Sequence, residues 1–238
     1  MDQRILFFTG AGISAESGIP TFQGESGLWN NYDINEVCQY STWLRNYDKV
    51  HTFYNEMRAD LKLKEPNHAH KTIAKLQQEF PDKVTIITQN VDDLFERAGC
   101  LNVHHLHGEV TKMRCCKCNN SWNIGYQIFD YKNASCPYCN KSDKFKPDII
   151  FFGERAPKYG LLEKLLMPFF ELENVVIVIG SSGTVVPIDD IIGSLPCKKI
   201  LNNLEVSESI KEDIYDKIYY EEATIAIDKI TLSITKNR

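Results

Sequence analysis

The apolar positions along the chain predict an alternation of buried strands and amphipathic helices. Short apolar runs rich in β-branched and aromatic residues occur at Ile5–Thr9, Val84–Thr88, Asp148–Phe152, Val175–Ile179, Lys199–Leu201 and Ile218–Tyr220. Several of these runs lack strict alternation, which is typical of strands covered on both faces in a parallel sheet. Helical spacing occurs between them at Ala69–Phe80, Leu161–Phe170 and Glu222–Ile234. The pattern therefore predicts an α/β fold with a doubly wound parallel sheet.

Two stretches interrupt this alternation. Trp29 to Lys64 has a helical pattern without a convincing strand, and Met113 to Lys146 is polar, rich in cysteine and poor in aliphatic residues. We interpret both as parts of a small second lobe within a single domain of residues 1–238. The main lobe is expected at about 1–30, 66–112 and 147–238. The small lobe is expected at about 31–65, which is helical, and 113–146.

Composition and charge limit the classes of function. A length of 238 residues with 43% hydrophobic residues suits one large domain. The net charge is −5 and no strong Lys/Arg cluster stands out, so direct binding to nucleic acid is not expected. No apolar run approaches the ~20 residues of a membrane helix, and no targeting segment is evident. A cytoplasmic protein without a membrane partner is the expectation.

The first strand runs directly into a glycine-rich turn, Gly10-Ala11-Gly12-Ile13-Ser14-Ala15. This matches the G-x-G-x-x-G/A fingerprint, in which glycines and a helix N-terminus bring backbone N–H groups to a pyrophosphate. A glycine turn that only closes a strand–helix unit would look the same. The acidic residue expected about 20 residues later is missing from a strand. Asn203-Leu204-Glu205, after the run Lys199–Leu201, is the better candidate for a Rossmann-like cofactor site.

Four of the eight cysteines have the spacing of a metal site. Cys115-x-x-Cys118 is followed after seventeen residues by Cys136-x-x-Cys139. Four thiolates in tetrahedral geometry leave no open position, so we expect one structural zinc ion. Cys116 is not expected to be a ligand, because only Cys115 pairs with Cys118 at the two-residue gap. Free or disulfide-bonded cysteines are the alternative.

Three of the six histidines lie in His104-His105-Leu106-His107. In an extended segment His105 and His107 share one face and His104 lies on the other. Any of them could be a hydrogen-bonded core histidine. A second polar cluster, Gln89-Asn90-Val91-Asp92, follows the strand Val84–Thr88, where polar groups point into the ligand crevice of an α/β sheet. Asn90 or Asp92 could equally be the N-cap of a helix.

Together these motifs resemble the sirtuin family. The segment Gly10–Phe22 is nearly identical to the family's opening motif, and later segments are similar to its other motifs in the same order. These are Thr88–Asp92, His107-Gly108, Phe151–Glu154 and Gly180–Ser182. The resemblance spans nearly the whole chain and is to bacterial single-domain members close to the desuccinylase-like branch. It implies an NAD-dependent protein-lysine deacylase that consumes NAD and acts on acyl-lysine proteins or peptides. The implied products are free lysine, nicotinamide and O-acyl-ADP-ribose.

The resemblance also implies roles for individual residues. His107 is the general base, and Asn90 and Asp92 hold the nicotinamide end of NAD. The full set of implied NAD-binding residues is Gly10, Ala11, Gly12, Ala15, Glu16, Thr21, Phe22, Gln23, Trp29, Gln89, Asn90, Val91, Asp92, Gly180, Ser181, Ser182, Asn203, Leu204, Glu205 and Ala223. The implied substrate residues are Tyr54, Met57, Phe151, Phe152, Gly153 and Glu154, of which the last four pair with an extended peptide.

Two positions depart from the family pattern. The family usually has Phe-Arg-Gly where this chain has Phe22-Gln23-Gly24. Weaker NAD binding or slower turnover is therefore expected, and the kinetics of Gln23→Arg would test this.

The second departure concerns the acyl group. Family members that remove succinyl groups carry Tyr-x-x-Arg, whereas here Met57 follows Tyr54 at the arginine position. An apolar pocket would disfavour a carboxylate, so acetyl or longer apolar acyl groups are expected. Arg58 lies about 100° further around the helix.

Two other functions fit the same residues less well. One is an NAD hydrolase or mono-ADP-ribosyltransferase of the same fold, which Gln23 would favour. The other is a zinc- and NAD-binding module without catalysis, against which Asn90, Asp92 and His107 argue.

Overall fold

A six-stranded parallel sheet forms the centre of the protein. The structure is a computed structural model that describes residues 2–21 and 32–235. The strand order in the sheet is β3-β2-β1-β7-β8-β9, and every neighbouring pair is parallel. These strands are β1 (Ile5–Thr9), β2 (Val84–Thr88), β3 (His104–His105), β7 (Val175–Ile179), β8 (Lys198–Asn203) and β9 (Lys217–Tyr220). The predicted α/β doubly wound sheet is confirmed.

Helices cover both faces of this sheet. The described helices are α1 (Gly12–Ala15), α2 (Ile34–Val37), α3 (Tyr47–Leu61), α4 (His68–Glu79), α5 (Leu94–Arg97), α6 (Leu162–Leu166), α7 (Ile188–Ile192) and α8 (Ala223–Thr235). Along β1, Ile5 and Phe7 pack against α4 and α8, whereas Leu6 and Phe8 pack against α6 and α7. Because β1 is buried on both faces, its apolar run is continuous rather than alternating.

A second, antiparallel sheet has the order β5-β4-β6, with β4 at Gly108–Cys115, β5 at Ser121–Asn123 and β6 at Phe145–Ile149. This corrects the predicted strand at Asp148–Phe152. Ile149 is the last residue of β6, and Phe152 instead forms an isolated bridge with Gln39. The apolar run 148–152 therefore crosses from one pairing partner to another, which its hydrophobicity alone does not reveal.

Two further apolar clusters lie outside the core of the parallel sheet. In the first, Val50, Phe53 and Tyr54 of α3 pack against Val110 of β4 and Ile149 of β6, so it joins segments predicted from the sequence to lie in different lobes. A separate cluster joins Met113, Phe145 and the buried cysteines of the segment between β4 and β6. The helical pattern predicted for Trp29–Lys64 corresponds to α2 and α3, and residues 29–31 lie outside the described part.

The predicted helix at Leu161–Phe170 is broken into three pieces. A 3₁₀ helix at Pro157–Leu161 precedes α6, and another at Met167–Phe170 follows it. Pro168 has no N–H to donate, so it cannot continue the hydrogen-bond ladder of α6. A further 3₁₀ helix lies at Glu212–Ile214. Among the helices of residues 2–21 and 32–235, none is both long and apolar enough to cross a membrane.

Candidate active site

A cavity of about 990 Å³ lies at the carboxyl ends of the parallel strands. Most predicted site residues line it, although they come from segments far apart in sequence. They are Gly10, Ala11, Gly12, Thr21, Gln89, Asn90, Val91, Asp92, Gly180, Ser181, Ser182, Asn203, Leu204 and Glu205, together with His107, Tyr54, Met57 and Phe151 to Glu154. The fold thus joins the predicted cofactor, catalytic and substrate residues in one continuous space.

Three of the predicted NAD-binding residues that the structure describes do not line the cavity. Three others, Phe22, Gln23 and Trp29, lie outside the described residues. Ala15 and Glu16 are exposed, and Ala223 is buried at the start of α8. The Glu16 carboxylate accepts hydrogen bonds from the backbone N–H, at 3.0 Å, and the hydroxyl of Thr224. In this structure Glu16 therefore ties the first loop to the beginning of α8.

The two glycine loops at the cavity floor pack directly against each other. A Cβ on Gly12 would lie 2.6 Å from the Cα of Gly180, and one on Gly180 would lie 2.5 Å from the backbone nitrogen of Ile13. Gly180 also has φ +65°, which side chains rarely adopt. The helix that follows, α1, has only four residues. The glycines therefore serve close loop packing as well as access to a ligand, and α1 adds little dipole to the site.

Ser14 links the polar residues at the buried end of the cavity. Its hydroxyl accepts a hydrogen bond from Asn90 Nδ2 at 3.1 Å and donates one to Asp92 Oδ2 at 3.0 Å. Nε2 of His70, a buried histidine on α4, lies 3.5 Å from the same oxygen. The other oxygen of Asp92 accepts the N–H of Leu94 at the start of α5, at 3.1 Å. Asp92 is therefore not the N-cap of α5, which is Asp93, but it accepts the first N–H of that helix and also lines the cavity.

Burial shifts the pKa values of two ionisable residues at this end of the cavity, Asp92 and His70. Burial raises the pKa of Asp92, while the hydrogen bonds from Leu94 and Ser14 lower it. Burial lowers the pKa of His70 to about 4, so its imidazole is neutral. The side chains of Asn90 and Asp92 are thus joined through the neutral hydroxyl of Ser14 rather than by ion pairs.

His107 is half-buried in the cavity wall, and both ring nitrogens have partners. Nδ1 lies 2.9 Å from the carbonyl oxygen of Gln89, and Nε2 lies 3.0 Å from the hydroxyl of Tyr159. Because a carbonyl only accepts, Nδ1 carries the proton and the lone pair of the neutral ring is on Nε2. Burial lowers the pKa of His107, and the bond to Gln89 opposes this. A neutral imidazole with its lone pair directed towards the cavity suits a general base.

His105 has a different environment although it is two residues away. Its Nδ1 lies 2.9 Å from the carbonyl oxygen of Asn90, and its Nε2 lies 2.9 Å from Oε1 of Glu96. Burial lowers the pKa of His105, but hydrogen bonding and the charge of Glu96 raise it above its ordinary value. Two acceptors and a raised pKa indicate an imidazolium. His105 therefore supports the Asn90 segment, and His107 is the histidine that faces the cavity.

Gly108, directly after His107, occupies a position that only glycine can fill. Its φ is +84°, and a Cβ would lie 1.9 Å from the carbonyl oxygen of Asp148 on β6. The backbone of Ile150 also donates to the carbonyl of His107 at 2.8 Å. This close contact between β4 and the segment after β6 anchors His107 beside the residues predicted to bind substrate.

The far end of the cavity lies against α3 and is mostly apolar. Tyr54 and Met57 both line it, along with Leu61, Val110 and Ile149. The Tyr54 hydroxyl lies 3.2 Å from Sγ of Cys38, and its ring stacks on Phe151 with centroids 5.7 Å apart.

Arg58 does not reach this end of the cavity. It is fully buried, and it donates to the carbonyls of Gln127 and Val110, each at 3.2 Å. Arg58 thus ties α3 to β4 and to the segment around Gln127, while the adjacent Met57 faces the cavity. The predicted difference in direction between the two side chains is confirmed.

Glu154 clamps the segment predicted to bind a peptide. Its carboxylate lies 2.8 Å from Nζ of the buried Lys146 and 2.6 Å from Arg114, and it accepts the N–H of Phe151 at 3.0 Å. Phe152 donates to the carbonyl of Cys38, and its own carbonyl accepts the N–H of Tyr40. The backbone of Phe152 is therefore already paired within the protein. Strand-like pairing with another peptide therefore cannot use Phe152, and the N–H of Glu154 is also taken, by the carbonyl of Phe151.

The four predicted cysteines meet at one point in the small lobe. Sγ atoms of Cys115, Cys118, Cys136 and Cys139 all lie within 4.8 Å of one another, with Cys115–Cys139 at 3.9 Å and Cys118–Cys136 at 3.6 Å. Four thiolates at Zn–S distances of about 2.3 Å place their sulfurs about 3.8 Å apart in a tetrahedron. The cluster is thus compatible with structural zinc. Cys116 is exposed and lies outside the cluster.

Among the residues that the sequence motifs did not reveal are three polar side chains that support the site. Ser14 was available as the polar residue inside the glycine motif, but its partners come from the segment after β2 and from α4. His70 follows the N-cap Asn67 of α4 and has no recognisable motif around it. Tyr159 lies in the 3₁₀ helix Pro157–Leu161, and only the fold brings it to His107.

Comparison with known proteins agrees with this geometry. Residues 10–187 match the Sir2 family. The chain is 43% identical to an NAD-dependent protein deacylase of Helicobacter hepaticus, covering 95% of each chain. It is also 43% identical to an NAD-dependent protein deacylase of Campylobacter jejuni, covering 98% of this chain and 96% of that one. A solved Sir2 homologue in complex with ADP-ribose superimposes with a TM-score of 0.84 at 31% identity, covering 99% and 94%. These matches show that the chain belongs to the Sir2 family.

Proposed function

We propose that the protein is an NAD-dependent protein-lysine deacylase. It transfers the acyl group of an acyl-lysine to ADP-ribose and releases nicotinamide, free lysine and O-acyl-ADP-ribose. The observation that supports this best is that His107, whose Nδ1 is bonded to Gln89 so that Nε2 carries the lone pair, lines the same cavity as the buried pair Asn90 and Asp92. Relatives named NAD-dependent protein deacylase, and Sir2 structures with ADP-ribose, support the same reaction.

NAD would bind across the carboxyl ends of the central strands. The loops at Gly10–Gly12 and Gly180–Ser182 suit the pyrophosphate, because their backbones lie close together and carry no bulky side chain. Gln89 donates to Ser181 Oγ at 2.9 Å, and Asn203 donates to the carbonyl of Ser181 at 2.9 Å. These bonds hold the loops of β2, β7 and β8 in one arrangement, as a preorganised binding site requires.

Asn90 and Asp92 would hold the nicotinamide end of this substrate. Ser14 fixes both side chains, so neither has to be ordered when NAD binds. The oxygen of the acyl-lysine amide then displaces nicotinamide at the ribose carbon. His107 accepts the proton of a ribose hydroxyl through Nε2, and that hydroxyl attacks the acyl carbon. Water completes the release of free lysine and O-acyl-ADP-ribose.

The acyl group would occupy the end of the cavity beside α3. Met57 and the neighbouring aliphatic side chains offer an apolar surface, and Arg58 is turned away. A carboxylate placed here would lose its hydration without gaining a cation. Acetyl and longer apolar acyl groups are therefore the preferred substrates. The acyl-lysine peptide would lie along Gly153, and a solved Sir2 protein bound to a deacetylated p53 peptide supports a peptide partner.

A zinc ion held by the four cysteines would be structural. All four positions would be filled by thiolates, so no coordination site remains for a substrate. The ion would order the segment between β4 and β6, whose small apolar cluster includes two of these cysteines. We also propose that the chain forms two lobes with the boundaries predicted from the sequence. A cytoplasmic location is part of the same proposal.

One experiment separates this function from its alternatives. Mass spectrometry of reactions with NAD and a panel of acyl-lysine peptides should show deacylated peptide, nicotinamide and O-acyl-ADP-ribose in equal amounts. His107→Ala should lower the rate by about 10²- to 10⁴-fold, the usual contribution of a general base. His68→Ala, which removes an exposed histidine bonded to Asp228, is the matched control. Nicotinamide release that needs no acyl-lysine would instead indicate an NAD hydrolase or ADP-ribosyltransferase.

A further inference from the structure

The hydroxyl of Tyr159 occupies the catalytically important side of His107. It lies 3.0 Å from Nε2, and the two rings are nearly parallel, at 25°, with centroids 6.1 Å apart. Tyr159 is half-buried, lines the cavity and belongs to the 3₁₀ helix that follows the Phe151–Glu154 segment. Its position therefore connects the predicted peptide-binding segment with the predicted base.

Only one lone pair of His107 can accept a proton. Nδ1 donates to the carbonyl of Gln89, so the neutral ring has its in-plane lone pair on Nε2. That lone pair already accepts the O–H of Tyr159. A general base must lie within about 2.6–3.2 Å of the proton that it takes. A substrate hydroxyl and the Tyr159 hydroxyl therefore cannot both occupy this position.

We propose that Tyr159 is a positioning residue whose hydroxyl occupies the proton-accepting nitrogen of His107 until the substrate hydroxyl displaces it. This rests on the proposed function for the identity of the displacing group. Before substrate binds, the hydrogen bond holds His107 in the neutral tautomer with Nε2 towards the cavity. Burial raises the pKa of Tyr159, so the phenol stays protonated and donates rather than acting as a base itself.

The first test measures His107 in the free enzyme and needs no catalysis. In protein labelled with ¹⁵N-histidine, the ring nitrogens of His107 are assigned by their loss in His107→Ala and titrated with pH. Tyr159→Phe should shift the ¹⁵N resonance of the unprotonated Nε2 in the neutral ring, because that nitrogen no longer accepts a hydrogen bond. Tyr131→Phe removes a phenol hydroxyl outside the lining of the cavity and should leave that resonance unchanged. An Nε2 resonance that is the same in the native protein and in Tyr159→Phe would overturn the proposal.

The second test separates displacement from a role in the reaction. A neutral hydrogen bond contributes about 0.5–1.5 kcal/mol, so its removal should lower KM for NAD by roughly two- to tenfold at unchanged kcat. A fall in kcat at unchanged KM would mean that Tyr159 acts in the transition state, which contradicts displacement. If the proposed deacylation itself is wrong, no acyl-lysine turnover is seen in any variant, while the titration still reports the Tyr159–His107 bond. Thermal unfolding confirms that Tyr159→Phe is folded.

Discussion

Met57 and Arg58 are neighbours on α3 whose side chains have opposite environments. Met57 lines the cavity, whereas Arg58 is fully buried and donates to the carbonyls of Val110 and Gln127. Burial lowers the pKa of Arg58 to about 10, yet these acceptors keep its guanidinium satisfied. A cation therefore lies one residue away from Met57, but its guanidinium is held by backbone carbonyls and does not line the cavity.

This arrangement predicts the acyl preference. Acetyl- and butyryl-lysine peptides should be deacylated with higher kcat/KM than a succinyl-lysine peptide of the same sequence. Met57→Arg should raise kcat/KM for the succinyl peptide and lower it for butyryl, because the new guanidinium would pair with the carboxylate and crowd an apolar chain. Glu56→Arg adds a cation on the same helix at the side bonded to Tyr32, and it should leave the preference unchanged. Faster desuccinylation than deacetylation by the native enzyme would refute the prediction.

We expect the Ser14 hydroxyl to contribute to catalysis, although Ser14 was not among the site residues predicted from the motifs. Ser14→Ala removes the hydroxyl that joins Asn90 to Asp92, so we expect kcat/KM to fall by roughly tenfold to a hundredfold, as for a lost bond to a charged group. Steady-state kinetics with an acetyl-lysine peptide measure this. Ser17→Ala is the control, because the buried Ser17 hydroxyl has no hydrogen-bond partner among the described residues. Equal activity of the two variants would show that the Ser14 bonds are dispensable.

The cysteine cluster predicts one zinc ion per chain. Metal analysis of the purified protein should find it, and Cys139→Ser should lower both the zinc content and the melting temperature by several degrees. The physical reason is that the segment between β4 and β6 has only a small apolar cluster to hold it. Cys116→Ser should change neither quantity, since that thiol is outside the cluster. Well under one zinc per chain in the native protein would contradict the assignment.

We expect the free energy of unfolding to fall in acid, because two histidines are buried in the folded protein. Burial lowers the pKa of His51 and of His70 to about 4, against about 6.5 in an unfolded chain. The unfolded state therefore binds more protons between these values, so the free energy of unfolding falls as pH drops from 6.5 towards 4. Each histidine should contribute about 2 kcal/mol of this loss at pH 5.

Urea unfolding at pH 7 and pH 5 measures the effect. His70→Asn should reduce the difference between the two pH values. His68→Asn should not, because His68 is exposed and pairs with Asp228 on the surface. An unchanged difference in His70→Asn would show that His70 titrates in the folded state near its ordinary value.

The sequence predicted those parts of the protein that depend on local pattern. The strands β1, β2 and β7 lie where their apolar runs place them, because strands buried on both faces leave a continuous hydrophobic signal. The cysteine spacing identified the residues of the cluster, since two-residue gaps bring pairs of thiols to one side of a turn. The glycine motif located the loop at the cavity floor, because the backbone there needs residues without a side chain.

Long-range contacts had to be read from the tertiary structure. The run Asp148–Phe152 is divided between β6 and a bridge to Gln39, since pairing partners are chosen by packing and not by hydrophobicity. His105 and His107 look alike in sequence, but their partners differ. His105 is bonded to the carboxylate of Glu96. His107 is bonded to the carbonyl of Gln89 and the hydroxyl of Tyr159, which set its tautomer.

The sequence by itself determined the family, the fold class and most of the residues that line the cavity, because each depends on motifs of a few neighbouring residues. Only the tertiary structure decided that Ser14 joins Asn90 to Asp92, that Arg58 turns away from Met57, and that Tyr159 reaches His107. These contacts depend on distances between residues up to 78 positions apart in the chain, which are set by how the sheets and helices pack.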